Sequence, residues 1–123
     1  MASIKGRNTA PERLLKSYLR RLHCRYRSNV KAILGTPDIM LLGRKKLIFA
    51  HGCFWHGHQG CSRATRPDTN LDFWNRKIEG NIKRDKRILR QLRKDGWTCL
   101  VVWQCQTKDT ERLMRRLTRF IER

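Results

Sequence analysis

Acidic residues are scarce in this chain of 123: ten Asp and Glu stand against 29 Lys and Arg, a formal charge of +19. A domain so cationic repels itself and seeks a polyanion. Nucleic acid, bound through phosphate contacts and counterion release, fits that charge better than an anionic membrane surface, an acidic protein or bare solubility. Long apolar runs are missing too, and none nears the roughly 20 residues of a membrane span. Met1 to Arg7 lacks the apolar stretch of an export signal. A soluble, cytoplasmic protein is expected. Repeats and low-complexity tracts are absent. The cysteines (Cys24, Cys53, Cys61, Cys99 and Cys105) are odd in number. With no export signal, a disulfide framework explains them poorly, and metal ligation or simple burial explains them better.

Aromatic residues are present in strength. Four Trp, four Phe and two Tyr supply the bulk of a packed centre, which argues against disorder despite the charge. The length allows one domain, spanning 1–123. Thr9, Pro11 and Glu12 form a capping-box start. Leu14, Leu15, Tyr18, Leu19 and Leu22 then recur at helical spacing. A short extended stretch follows around Arg25 to Ser28. Ile39 to Leu42 and Leu47 to Ala50 read as two strands joined by the polar turn Gly43-Arg44-Lys45-Lys46. His51 to Asp68 has no period and reads as a long loop, which in a small domain is usually functional or held by something. Leu71, Trp74, Ile78, Ile82, Leu89 and Leu92 mark a long helix to Lys94, interrupted at Asp85, with Asn70 as cap and Gly96 as stop. Trp97 to Trp103 is an apolar strand suited to the middle of a sheet covered on both sides. Asp109 or Thr110 opens a last helix. The order predicts a mixed sheet between helices, with the long helix as crossover.

Three groups of residues carry chemistry. Cys53, His58 and Cys61 are spaced so that one loop can wrap a tetrahedral ion. Zinc favours thiolate and imidazole and closes a structural site with four ligands, for which Cys105 is the natural fourth. Cys24 and Cys99 read as small buried hydrophobes. His51 and His56 flank this loop, and a neutral imidazole near pH 7 can take a proton from an attacking water. Asp38, in Gly35-Thr36-Pro37-Asp38, is either a turn residue or a Mg²⁺ ligand.

These residues resemble a family. Gly35-Thr-Pro-Asp38, His51-Gly-Cys-Phe-Trp-His56-x-His58-x-x-Cys61, Phe73-Trp74, Gly96-Trp97 and Val102-Trp103-Gln-Cys105 look like the very-short-patch repair (Vsr) endonucleases. The similarity runs from about Ile4 to Cys105. It implies a restriction-endonuclease-like fold and nicking of DNA at T·G mismatches. By the same resemblance Asp38 and the backbone carbonyl of Ala50 hold Mg²⁺. His56 is the general base, with His51 and Glu12 assisting through water, although the capping box accounts for Glu12 equally well. Cys53, His58, Cys61 and Cys105 bind structural Zn²⁺. Phe54, Trp55 and Trp74 wedge beside the mispair in double-stranded DNA. The implied enzyme is a monomer associated with the bacterial nucleoid. Two departures stand out: the chain starts close to the first helix, where the family often has a longer arm, and it is far more basic than a mismatch enzyme needs. The rival reading is a zinc-stapled nucleic-acid-binding module without catalysis, or a nuclease of this kind with another DNA target.

Overall fold

The computed structural model describes residues 10–122. Helix α1 (Ala10–Arg21) leads to β1 (Tyr26–Ser28), β2 (Ile39–Leu41) and β3 (Lys46–His51). Helix α2 (Leu71–Lys94), β4 (Thr98–Trp103) and α3 (Thr110–Glu122) complete the chain, with short 3₁₀ turns at Ser62–Ala64 and Gln104–Lys108. Thr9, the expected cap of α1, lies outside the described residues.

The sheet order is β1-β2-β3-β4. The first two pairings are antiparallel and β3 runs parallel to β4, so α2 is the crossover that parallel neighbours need. Side chains alternate across the sheet with period two. Ile39, Leu41, Ile48 and Val102 pack with Leu15 and Leu19 of α1 and Leu113 and Leu117 of α3. Leu47, Phe49, Cys99 and Val101 face the other way, against Ile88 and Leu92 of α2. Three layers result, helices on both faces of a mixed sheet. Cys24 and Cys99 pack against these two cores as small hydrophobes.

Two expectations need correction. Strand β4 is covered on both faces but lies at the edge of the sheet, and β3, buried at five of its six positions, is an inner strand. The apolar run of β4 reflects helices above and below it; among the described residues no strand pairs with its outer side, where the Arg116 guanidinium reaches the Val101 carbonyl at 3.4 Å. Asn70 does hold the N-cap position of α2, but its backbone is left-handed (φ 58°) and its side chain makes no capping bond.

The other ends are closed as their sequences suggest. Beyond α2, Gly96 (φ +98°) donates to the Arg93 carbonyl and Trp97 to that of Leu92, the paired bonds of a Schellman end. Asp109 accepts the Arg112 N–H at the start of α3. At its far end the buried Lys46 ammonium donates to the carbonyls of Phe120 (2.6 Å) and Ile121 (3.0 Å), placing a cation where the helix dipole is negative. Among the described residues no helix is long and apolar enough to cross a membrane.

Candidate active site and metal centre

The turn before β2 runs through two left-handed residues, Gly35 (φ +80°) and Thr36 (φ +46°). It is tied down by bonds from the Asn29 N–H to the Asp38 carbonyl and from Val30 to Pro37. This places Asp38 beside β3, where one carboxylate oxygen accepts the Ala50 N–H at 2.7 Å. A strand residue that exchanges both backbone bonds with a neighbour does so on one side, so the Ala50 carbonyl opens towards Asp38 as well. Burial pushes the Asp38 carboxyl up to about 6, against the lowering effect of the Ala50 bond, and the nearby charge of Glu12 adds to the rise. Glu12 itself is fully buried, accepts a bond from the Asn29 amide (3.2 Å) and pairs with Lys16 (2.9 Å).

His51 and His56 stack face to face, with ring centroids 3.9 Å apart and planes within 4°. His56 Nδ1 lies 2.6 Å from an oxygen of Asp85. Burial raises the Asp85 carboxyl, but the bond from His56 and the charges of His56, His51 and Arg84 outweigh it and hold the group below the usual carboxylate range. Asp85 is therefore the acceptor of the Nδ1 proton, and in the neutral ring the lone pair lies on Nε2. His51 is buried, and burial followed by repulsion from His56 lowers its pKa to about 4. It is uncharged at neutral pH. Asp85 escaped the sequence reading, yet it left a signal: a carboxylate interrupting the apolar stripe of a basic helix. Although donor atoms of His51, His56 and Asp85 lie within 4.8 Å of one another, the lone pairs of the two stacked rings lie in near-parallel planes, with ring centroids 3.9 Å apart, and do not converge on one ion.

Asp38, Ala50, His51, His56, Arg84 and Asp85 line one cleft of about 490 Å³. A second hollow of about 870 Å³ lies beside it and shares the histidine pair and Asp85 with the cleft.

The four expected sulfur and nitrogen ligands also meet. Donor atoms of Cys53, His58, Cys61 and Cys105 lie within 4.8 Å of one another; a tetrahedral zinc with Zn–S near 2.3 Å implies edges of about 3.8 Å. Cys105 Sγ is 3.4 Å from His58 Nδ1, and the Cys105 N–H points at Cys53 Sγ at 3.3 Å. The His58 ring is fixed by stacking on Trp103, 4.1 Å away and within 8° of parallel. Burial and the adjacent Cys53 and Cys61 thiols push Cys105 up to about 11. The donor set suits Zn²⁺. The loop is seated on α2 through Gly57 (φ +57°), where a Cβ would come within 2.6 Å of Ile82 and 2.8 Å of Ile78.

Phe54, Trp55 and Trp74 form one cluster, with centroids 5.1–5.8 Å apart. Trp74 is half-buried against the loop aromatics and stands outside both cores. Phe73, not singled out for this cluster from sequence, extends it edge-on to Trp74 at 5.1 Å and is half exposed, as is much of Trp55. The Asn81 amide holds the Trp55 carbonyl at 2.9 Å.

Known proteins are similar to this chain in sequence and in fold. Residues 1–63 match the family described as DNA mismatch endonuclease Vsr. The type II nicking enzyme V.XorIIP of Xanthomonas oryzae is 41% identical over 122 residues, covering 99% of this chain and 89% of that protein. The type II nicking enzyme V.NmeAIP of Neisseria meningitidis is 40% identical, covering 98% of this chain and 86% of its own length. The DNA mismatch endonuclease Vsr of Escherichia coli is 37% identical over 113 residues, 92% of this chain and 72% of that one. In fold, the catalytic domain of the homing endonuclease I-Bth0305I superposes with a TM-score of 0.61 at 22% identity, covering 92% of this chain and 94% of that one. With an Asp-bearing β-meander, a histidine-rich cysteine loop and a sequence shared over nearly its whole length with such proteins, the chain belongs to the Vsr DNA mismatch endonuclease family.

Proposed function

We propose that this DNA nicking endonuclease hydrolyses one strand at or near a T·G mismatch, with Mg²⁺ at Asp38 and Zn²⁺ in the cysteine loop. The observation that carries the reading is the cleft itself, where the Asp38–Ala50 pair and the His56–Asp85 pair share one wall-to-wall space. A binding module without catalysis needs neither pair. Asp38 and the Ala50 carbonyl would hold the Mg²⁺, which when bound offsets phosphoryl charge and acidifies water. His56 Nε2 accepts the proton of the attacking water, and Asp85 stabilises the imidazolium that forms. His51, uncharged and stacked on His56, fixes the plane of that ring without competing for the proton. Glu12, buried beside Asp38, strengthens the negative potential that draws a cation. Arg84, exposed on the cleft wall, offers charge to the phosphate. Cys53, His58, Cys61 and Cys105 would hold the Zn²⁺ that fixes His56 between two of its ligands.

A nicking assay with Mg²⁺ on matched and T·G duplexes tests the reading. One nick in the mismatched duplex and little in the matched one is expected; no cleavage of either would overturn it. A second reading, the same chemistry at another DNA site, is favoured by relatives named type II nicking enzymes, and equal nicking of both duplexes would select it.

Phe54, Trp55 and Trp74 are the proposed wedge. Insertion between base pairs costs a few kcal/mol and is cheapest beside a mispair. The parent's tryptophan fluorescence should be quenched on binding; Trp55→Ala should keep its melting temperature and zinc, lose most of that quenching, and nick matched and mismatched duplexes alike. Unfolding of that variant would assign Trp55 to the core instead.

Charge dictates a further result. If six to ten cations touch phosphates, duplex affinity should fall roughly 10³–10⁵-fold between 50 and 200 mM salt. A flat response in a binding titration would mean that the charge serves something else.

A further inference from the structure

Helix α2 has two opposed faces. At about 100° per residue, Ile78, Ile82, Asp85, Leu89 and Leu92 fall on one side, and they face the loop and the sheet. On the opposite side Arg76, Lys83, Arg87, Arg90 and Lys94 fall within about 60° of one another, and all five are exposed. The eighteen helical rises between Arg76 and Lys94 give this stripe a length of about 27 Å. None of the helix's acids interrupts it: Asp72 stands before its first cation, Glu79 flanks it in an ion pair with Arg66 at 3.1 Å, and Asp85 is on the inner face bonded to His56. Gly80, at the border of the stripe, has open space where a side chain would be. The surface is smooth, rigid and single-signed.

The stripe cannot serve the cleft. Asp85 marks the direction of the cleft from the helix axis, and the stripe points away from it across a helix about 10–12 Å wide. A straight duplex seated on Asp38 and His56 meets Arg84 at the side of the helix but not its outer face. Five cations held there against one another's repulsion lower stability if unpartnered, and among the described residues no ion pair joins them to an acid. We infer that the outer face of α2 binds a second segment of double-stranded DNA, so that one molecule bridges the duplex in its cleft to another. A duplex offers one negative charge per roughly 1.7 Å of axis, and its major groove admits a helix. The stripe spans about eight base pairs. Bridging would hold the enzyme on DNA while the cleft samples one duplex after another.

The experiment is a two-duplex capture. A matched duplex of about 20 base pairs, longer than the stripe needs, is fixed to beads, and a second, fluorescent matched duplex is offered with the full-length protein. The parent protein should retain the second duplex at least about tenfold better than Lys83→Glu/Arg87→Glu/Arg90→Glu, with retention lost as salt rises. The variant should still nick a short target duplex at the parent's rate, and Lys83→Gln/Arg87→Gln/Arg90→Gln should show the same split if charge reversal lowers the melting temperature. Charge reversal of the opposite layer, Arg112→Glu/Arg115→Glu/Arg119→Glu, should leave capture intact. Several results would overturn the inference. These are no capture by the parent, capture unchanged by the stripe variants, loss of capture only in the α3 variant, and equal loss of target nicking and capture. Displacement of the second duplex by RNA at lower concentration than by DNA would also overturn it.

Discussion

Asp38→Asn should nick at least about 10³-fold more slowly in single turnover, since several kcal/mol of metal-derived stabilisation vanish and 1.36 kcal/mol is tenfold. It should also melt at a higher temperature than the parent at pH 8. The second effect follows from burial. The Asp38 carboxyl rises from 3.8 to about 6 on folding, so the ionised group disfavours the folded state. The penalty is absent below pH 3.8, grows between 3.8 and 6, and is complete above 6. At pH 8 it amounts to at most about 3 kcal/mol, from about two units at 1.36 kcal/mol each. Asparagine keeps an oxygen for the Ala50 N–H and removes the charge. His51, lowered to about 4, contributes the opposite slope between 4 and 6.5, but it does so in both proteins and cancels in the difference. Melting curves in Mg²⁺-free buffer should therefore show a gain of several degrees at pH 8 that shrinks towards pH 4. A variant that nicks as fast as the parent sinks the catalytic role, and one that melts lower at pH 8 sinks the account of its burial.

Much of this site was legible in the sequence because its members sit in short, specific strings. The cysteine loop states its own spacing, and Cys105 follows from the need for a fourth ligand at the end of an adjacent strand. The helices were legible from their periods, and the bounds of α2 agree with Leu71 and Lys94. What the sequence hid was pairing in space. An apolar string such as Thr98–Trp103 reads alike in the centre of a sheet and at its edge, because helices cover both faces in either place. Asp85 appeared only as a flaw in a stripe, and nothing local could say that it lies 29 residues and 2.6 Å from His56. Glu12 showed the converse difficulty. The residue that would complete its capping box, Thr9, lies outside the described residues, while its bonds to Asn29 and Lys16 account for its burial. Trp103 carried a second function unseen from its strand, since one ring sits edge-on to His51 at 5.1 Å and stacks on His58. The two proposed metal environments thus touch through a single indole.

Cys105→Ser should release zinc and lower the melting temperature by at least about 10 °C, the larger structural effect expected of any single side chain here. Three of the four ligands lie on one loop, and Cys105 is the only one contributed by the segment after β4. Of the aromatics in that loop, Phe54 and Trp55 face the exposed cluster and not either core. Apolar burial therefore does little to hold the loop, and the ligands with the Gly57 contact on α2 must do most of it. Structural zinc sites are worth about 10–16 kcal/mol in small domains, comparable to the whole stability of a protein this size, about 5–15 kcal/mol. Losing one ligand forfeits a large part of that. Elemental analysis should find about one zinc per chain in the parent and almost none in the variant. Nicking should fall with it, because His56 lies three residues after Cys53 and two before His58 and loses its orientation towards Asp85 when the loop is freed. Cys24→Ser and Cys99→Ser provide the contrast: both thiols pack in the cores, so zinc content should be unchanged. A chelator-treated parent that melts at its original temperature would show that the loop stands without the ion, and the zinc assignment would fall with it.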